Sequence, residues 1–187
     1  MLLQPMFERR GAFMLAAALL LSGTAQAQFS ILCDCDDAAL APCGNGAGSA
    51  LWGGCINSLG AKATLDASNG SVSVAADDLQ IFAWNLPVGN GLLFMGGARA
   101  QVVFGDGFQC VTPGTQGLFR FPVQTADAGG TLSTGPGLVA LTHGLLPAAG
   151  HIAAGDTWYF QYWYRDPVGP CGTGFNLTNG IGITFAP

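Results

Sequence analysis

An all-β fold, an antiparallel β-sandwich of the jelly-roll or Ig-like kind with an irregular, disulfide-tied N-terminal cap, is predicted by three features of this chain. Beyond residue 27 there is no Glu and a single Lys, Lys62, and every acid is Asp. Glu and Lys favour exposed helix positions, whereas Asp and the abundant Gly favour turns. Short runs rich in Val, Ile, Thr, Phe, Trp and Tyr recur between Gly, Pro, Asn and Asp clusters, which is the pattern of strands and turns. No stretch carries the 3.6-residue period of a useful amphipathic helix.

The N-terminus reads as an export signal. Arg9 and Arg10 precede an apolar run, Ala12 to Leu21, and then Ala25-Gln26-Ala27. A charged start, a short hydrophobic stretch and an A-x-A site predict a secretory signal peptide over 1–27, cleaved after Ala27. The run is too short to span a bilayer, so no transmembrane segment is expected. Residues 28–55 form the predicted Cys-rich cap and 56–187 the sandwich. The localisation expected is secreted, extracellular or at the cell surface. A formal net charge of −5 with so few cations excludes nucleic acid as a partner, because phosphate needs Lys and Arg to neutralise it.

Four of the six cysteines, Cys33, Cys35, Cys43 and Cys55, lie in the cap, with Cys110 and Cys171 beyond it. An even number in an exported chain predicts disulfides, and six cysteines allow fifteen pairings. Cys33 and Cys35 are too close in sequence to pair with each other. A helical turn is expected near Asp36–Ala41, capped by Asp36 or Asp37. Asp34, Asp36 and Asp37 also supply the oxygen ligands that calcium prefers, so a calcium site here is weighed against turn-forming roles. Zinc is disfavoured, because paired C-x-x-C knuckles are missing. No other cofactor is expected.

From Cys55 onward strands alternate with turns. ATLDAS, Asn69-Gly70 and SVSVAA read as a hairpin with a type I′ turn. LQIFAW, GLLFM, ARAQVVF (closed by Gly105-Asp106-Gly107) and Phe108–Val111 read as strands. Pro122 pushes LFRFPV to an edge. A weaker strand is expected near Leu138–Thr142. Gly155-Asp156 launches a strand over Thr157–Arg165, and Asn179-Gly180 joins Phe175–Thr178 to Ile181–Phe185 in a second hairpin.

The strand after Gly155-Asp156 is the chain's most unusual stretch, with six aromatic residues in the seven positions 158–164. Alternation puts Trp158, Phe160, Tyr162 and Tyr164 on one face and Tyr159, Gln161, Trp163 and Arg165 on the other. The first, wholly aromatic face belongs in a core. The second mixes aromatic rings with hydrogen-bonding groups. It is a candidate ligand site, since exposed rings stack on sugar rings while Gln161 and Arg165 bond hydroxyls. Catalytic signatures are missing: there is no G-x-S-x-G, no H-E-x-x-H and no Glu after residue 27, and His143 and His151 fall in apparent loops. An Asp-based hydrolase is the distant third reading.

Several motifs together resemble a class of exported bacterial proteins that occur as stand-alone modules or at the C-terminus of larger secreted chains. The carrying residues are Cys33-Asp34-Cys35, Pro42-Cys43-Gly44-Asn45, Gly54-Cys55-x-Asn57-Ser58-x-Gly60, Asp77-Asp78-Leu79, Phe104-Gly105-Asp106-Gly107-x-x-Cys110 and, most specifically, Gly155-Asp156-Thr157-Trp158-x-Phe160-Gln161-x-Trp163-Tyr164-Arg165-Asp166-Pro167 with Phe175-Asn176-Leu177-Thr178-Asn179-Gly180. The resemblance implies a secreted β-rich module and no particular activity. It favours a Cys55–Cys110 disulfide, with the other four cysteines pairing among themselves. It also suggests that Arg165 and Asp166 clamp the final hairpin by bonding its turn, Asn179-Gly180. The function expected is non-enzymatic adhesion or assembly, with other surface proteins as partners. The alternative is carbohydrate binding by the aromatic strand, with extracellular polysaccharide as partner.

Overall fold

The computed structural model describes residues 29–46, 48 and 52–187. The predicted signal segment, 1–27, lies outside them. The described residues form strands β1 (Phe29–Leu32), β2 (Thr64–Asn69), β3 (Gln80–Trp84), β4 (Asn90–Gly96), β5 (Ala98–Phe104), β6 (Gly107–Thr112), β7 (Leu118–Arg120), β8 (Gln124–Thr125) and β9 (Leu132–Thr134). After helix α1 (Leu138–Leu145) come β10 (Thr157–Asp166), β11 (Gly174–Leu177) and β12 (Gly180–Thr184). All strand pairs are antiparallel. The largest sheet runs β1-β12-β10-β4-β7, with β11 also on β10 and β8 on β4. A second sheet runs β2-β3-β9, and β5-β6 form a hairpin of their own. The fold is an all-β sandwich.

The two faces of β10 bury into two different cores. Trp158, Phe160, Tyr162 and Tyr164 meet Leu65, Ile81, Ala83 and Leu132 of the second sheet. Tyr159 and Trp163 meet a smaller cluster that includes Phe94, Phe108, Cys110 and Leu177. The largest sheet is therefore a middle layer, and the alternation seen in the sequence is the division between its two sides. Each of the four aromatics on the first face is at most 2% exposed, worth roughly 1.5–3 kcal/mol apiece in apolar burial. Tyr162 keeps a polar partner there, its hydroxyl lying 2.8 Å from Thr134 Oγ1.

Four local expectations are corrected. The segment after Asn69-Gly70 does not pair back on β2. Ser71 instead donates from N and Oγ to Asp78 Oδ1 (2.9 and 2.7 Å), and Val72 and Val74 bond Ala186 at the C-terminus. β2 finds its partner in β3. Residues expected as a strand near Leu138–Thr142 are helical, because Asp77 from a neighbouring loop caps them: Val139 N and Ala140 N donate to its two carboxylate oxygens (2.7 and 2.9 Å). Phe29–Leu32, placed in the cap, is a strand on β12.

Asn179-Gly180 is not a hairpin turn. β11 and β12 both pair with β10, as Trp163↔Leu177 and Phe160↔Ile181, so three residues oppose two in a bulge. The Asn179 side chain is required elsewhere. Leu65 N donates to its Oδ1 (2.8 Å), and its Nδ2 donates to Leu65 O (3.1 Å), as a neighbouring strand would. The carboxamide ties the middle layer to β2.

The disulfides are Cys35–Cys55, with Cα atoms 4.8 Å apart, and Cys43–Cys171, at 5.6 Å. This corrects the Cys55–Cys110 expectation. Cys35 N donates to Gly53 O, which brings Cys35 beside Cys55, while Cys110 sits on β6 against β10. Cys43–Cys171 spans 128 residues of sequence, and in the chain-entropy account such a loop contributes about 4–5 kcal/mol. Cys33 and Cys110 carry free thiols.

Asn179→Ala leaves the Leu65 N–H and C=O buried without these partners. A loss of about 2–4 kcal/mol in chemical denaturation is expected, and a loss below about 1 kcal/mol contradicts the role given to this amide. Burial pushes the Tyr162 hydroxyl up to about 12, against a lowering bond to Thr134, and pushes Tyr164 higher still. The folded state thus holds protons that the unfolded chain releases near 10.0. Stability present below pH 10 is lost as the pH rises towards 12, by roughly 2–3 kcal/mol from Tyr162. Denaturant midpoints across this range should fall together with tyrosinate appearance, and less steeply in Tyr162→Phe.

Candidate functional site

The face of the middle layer that carries Trp163 is only partly covered. Cross-strand registry sets its rows: Leu92 beside Trp163, and Arg120 beside Phe94 beside Gln161. Leu118 enters one row further along, opposite Gly96. The β5–β6 hairpin stands over this face and adds Phe104 and Gln109. Together Leu92, Phe94, Phe104, Gln109, Leu118, Arg120 and Trp163 line an open groove of about 210 Å³. Its floor is mainly apolar, and Arg120 and Gln109 bring polar groups to it.

Gln161 holds the groove's wall in place. Its Nε2 donates to Phe108 O (2.8 Å) and Thr178 O (2.7 Å), and its Oε1 accepts from Cys110 N (2.9 Å). The residue is fully buried. One amide thus joins β6 to β10 and to the bulge between β11 and β12. Gln161 was expected to bond a ligand; its polar atoms instead bond the backbone, because a buried amide must find partners within the protein.

The other predicted site residues part company. Trp163 lines the groove and is half-buried. Arg165 is exposed, and its guanidinium carbon lies 5.4 Å from the Trp163 ring centre, in cation–π range. Tyr159 lies away from the groove lining, its ring over Gly182, where a Cβ would come within 2.9 Å of Tyr159 Cε1. Phe175, 5.7 Å from Trp163 and 5.0 Å from Phe104 between ring centres, buttresses one side. None of Leu92, Phe94, Phe104, Gln109, Leu118 and Arg120 was given a ligand-binding role from the sequence. The only signal they carry is a place on the same sheet face as Trp163, and that needs the register.

The expected clamp is also rearranged. Asp166 accepts from Ser58 N (2.9 Å) rather than from the Asn179-Gly180 segment, and Arg165 turns to Trp163. Asn179 serves β2, and Gly180 leaves room for Cys110, whose Cβ would lie 2.9 Å from an added methyl. Asp106 organises the loop that holds Cys171, accepting from Cys171 N and Thr173 N, both at 3.1 Å.

The acidic cluster of the cap has a cation of its own. Lys62 Nζ donates to Asp34 Oδ1 (2.9 Å) and to Asp36 Oδ1, while Asp37 accepts from Ala39 N (2.8 Å) and caps the turn that follows. Burial works against the Lys62 charge, but the two carboxylates outweigh it and raise its pKa. Among the described residues no three His, Cys, Asp or Glu side chains group to hold a metal ion. His143 and His151 stack on each other, ring centres 4.2 Å apart, and among the described residues their ring nitrogens meet the carbonyls of Ile152 and Leu146 rather than a carboxylate or hydroxyl.

No helix among the described residues is long and apolar enough to cross a membrane. No protein-family model, no curated protein and no solved structure matches this chain.

Proposed function

We propose that this chain is a non-enzymatic extracellular recognition module, and that a sugar ring of an extracellular polysaccharide occupies the groove over Trp163. The observation that carries this reading is the groove itself. It combines a half-buried indole at its floor, an apolar lining, and the polar side chains of Arg120 and Gln109, the Gln109 Nε2 donating to Val111 O (2.9 Å) and its Oε1 left to accept. Sugars present an apolar face of C–H groups and a rim of hydroxyls, and such a site complements both. Two disulfides support export to an oxidising compartment.

A hydrolase reading gains no support. Asp106 and Asp166 approach one another around Gly169, whose added Cβ would lie 2.3 and 2.9 Å from their Oδ2 atoms, yet both are fully buried where no substrate reaches. The remaining reading, assembly with another surface protein, is favoured by one feature. β5 pairs with β6 alone and exposes Val102, Val103 and Phe104 at 60, 55 and 45%. An open edge of this kind accepts a further strand.

Binding to an oligosaccharide array separates these readings. Wild-type protein should bind a defined glycan set, and Trp163→Ala should weaken that binding roughly tenfold or more while the protein, though less stable, still unfolds cooperatively. Arg120→Ala should weaken it without altering the fold. Gln161→Leu should instead destabilise the protein by about 3 kcal/mol or more, because three buried backbone groups lose their partners. Glycan binding untouched by Trp163→Ala refutes the groove. No glycan binding, with concentration-dependent self-association abolished by Val103→Lys, supports assembly through β5.

A further inference from the structure

Cys33 and Cys110 are the two cysteines outside the disulfides, and the fold brings them together from opposite parts of the chain. Leu32 pairs with Gly180 at the end of β1. An added Cβ on Gly180 would lie 2.9 Å from Cys110 Cβ and 3.3 Å from Leu32 Cβ, so Cys110 and the residue just before Cys33 press on the same glycine. Cys33 has left-handed backbone, φ 53°, which turns the chain off the sheet. Its Sγ donates to Ala100 O (3.1 Å). Ala100 sits in the β5 bulge, between the pairs Arg99↔Val111 and Val102↔Gln109, and so lies opposite Cys110. The Cys33 side chain lies near enough to Cys110 to add to the rise that burial imposes on the Cys110 thiol pKa.

We infer that Cys33 and Cys110 are an oxidation site and form a third disulfide, which ties the end of β1 to β6. Cys33 is partly exposed and Cys110 is buried, which assigns the order of events. A disulfide-donating oxidoreductase, or a small disulfide such as oxidised glutathione, meets Cys33. The Cys33 thiolate forms a mixed disulfide with one donor sulfur as the donor's S–S bond breaks and its other sulfur leaves as a thiol. Cys110 then gives up its proton and attacks Cys33 Sγ, and the second donor thiol departs. Two thiols become one disulfide, and the donor takes the two electrons and two protons. Burial raises the Cys110 thiol pKa, in keeping with a resolving role rather than first attack.

The consequence concerns the hairpin that walls the groove. Gln161 holds β6 from the β10 side, and the new bond holds it from the β1 side. The bond therefore fixes β5–β6 whether or not a sugar occupies the groove, and its test does not use ligand binding.

The full-length secreted protein is unfolded under non-reducing conditions, treated with a thiol alkylator and cut on the N-terminal side of aspartate. That cleavage separates Cys33 from Cys35, because Asp34 lies between them, and releases Cys110 on peptide 106–126. The expected result is no alkylated cysteine and one species joining the peptide that ends at Cys33 to peptide 106–126. Alkylation of both residues in protein that holds Cys35–Cys55 and Cys43–Cys171 overturns the inference, as does Cys33 bonded to any other partner. Cys33→Ser, which removes only the exposed partner, should keep the other two bonds and expose Cys110 to alkylator after unfolding. It should also melt roughly 5–15 °C lower than the wild type and exchange amides faster across 98–112. A melting point and exchange equal to wild type overturn the inference too.

Discussion

A strand that is dry on both faces has nowhere to put a polar side chain except against protein backbone, and the rest of this structure is arranged around that constraint at Gln161. β10 lies in the middle of its sheet, with one core under it and another over it. An amide buried there without partners costs several times what a satisfied one contributes. Its three bonds to the main chain, at Phe108 O, Thr178 O and Cys110 N, meet that demand and decide where β6 lies. The position of β6 then decides where β5 stands, and with it whether the Trp163 face is sealed or open.

The same device recurs. Asn179 takes the place of a strand beside Leu65. Asn45 donates to Asp106 O and Ile56 O, and Asp77 caps α1 from outside the helix. A chain with one Lys and few Arg has almost no ion pairs available, so its short polar side chains bond main-chain groups instead. Asn and Asp suit this role because their few rotatable bonds lose little entropy when fixed. The composition that marks the chain as a turn-rich β protein is thus also the material that joins its layers.

The groove is a by-product of incomplete coverage. The bulge between Arg99 and Val102 breaks the β5–β6 ladder and bends the hairpin, so β6 packs on the sheet while β5 stays exposed. What remains between hairpin and sheet is a concavity lined from five strands, with one indole in its floor. Arg165 and Phe175 brace that indole from the side. A braced ring loses little further freedom when a ligand stacks on it, which favours binding.

The sequence alone determined the all-β class, the presence of disulfides and the division of residues 158–165 into two faces. Each of these follows from local rules: turn chemistry, cysteine number and the two-residue period of a strand. Only the tertiary structure decided the pairing of the cysteines, the fates of both Asn-Gly sites and the composition of the groove. Asn-Gly favours a tight turn in isolation, but at Asn179 a buried partner on β2 offered two hydrogen bonds and outweighed that preference. Gln161 and Trp163 look alike from the sequence, two polar-capable residues on one strand face. One is stitched into the fold and the other borders the groove, because the β5–β6 hairpin covers the first and stops short of the second.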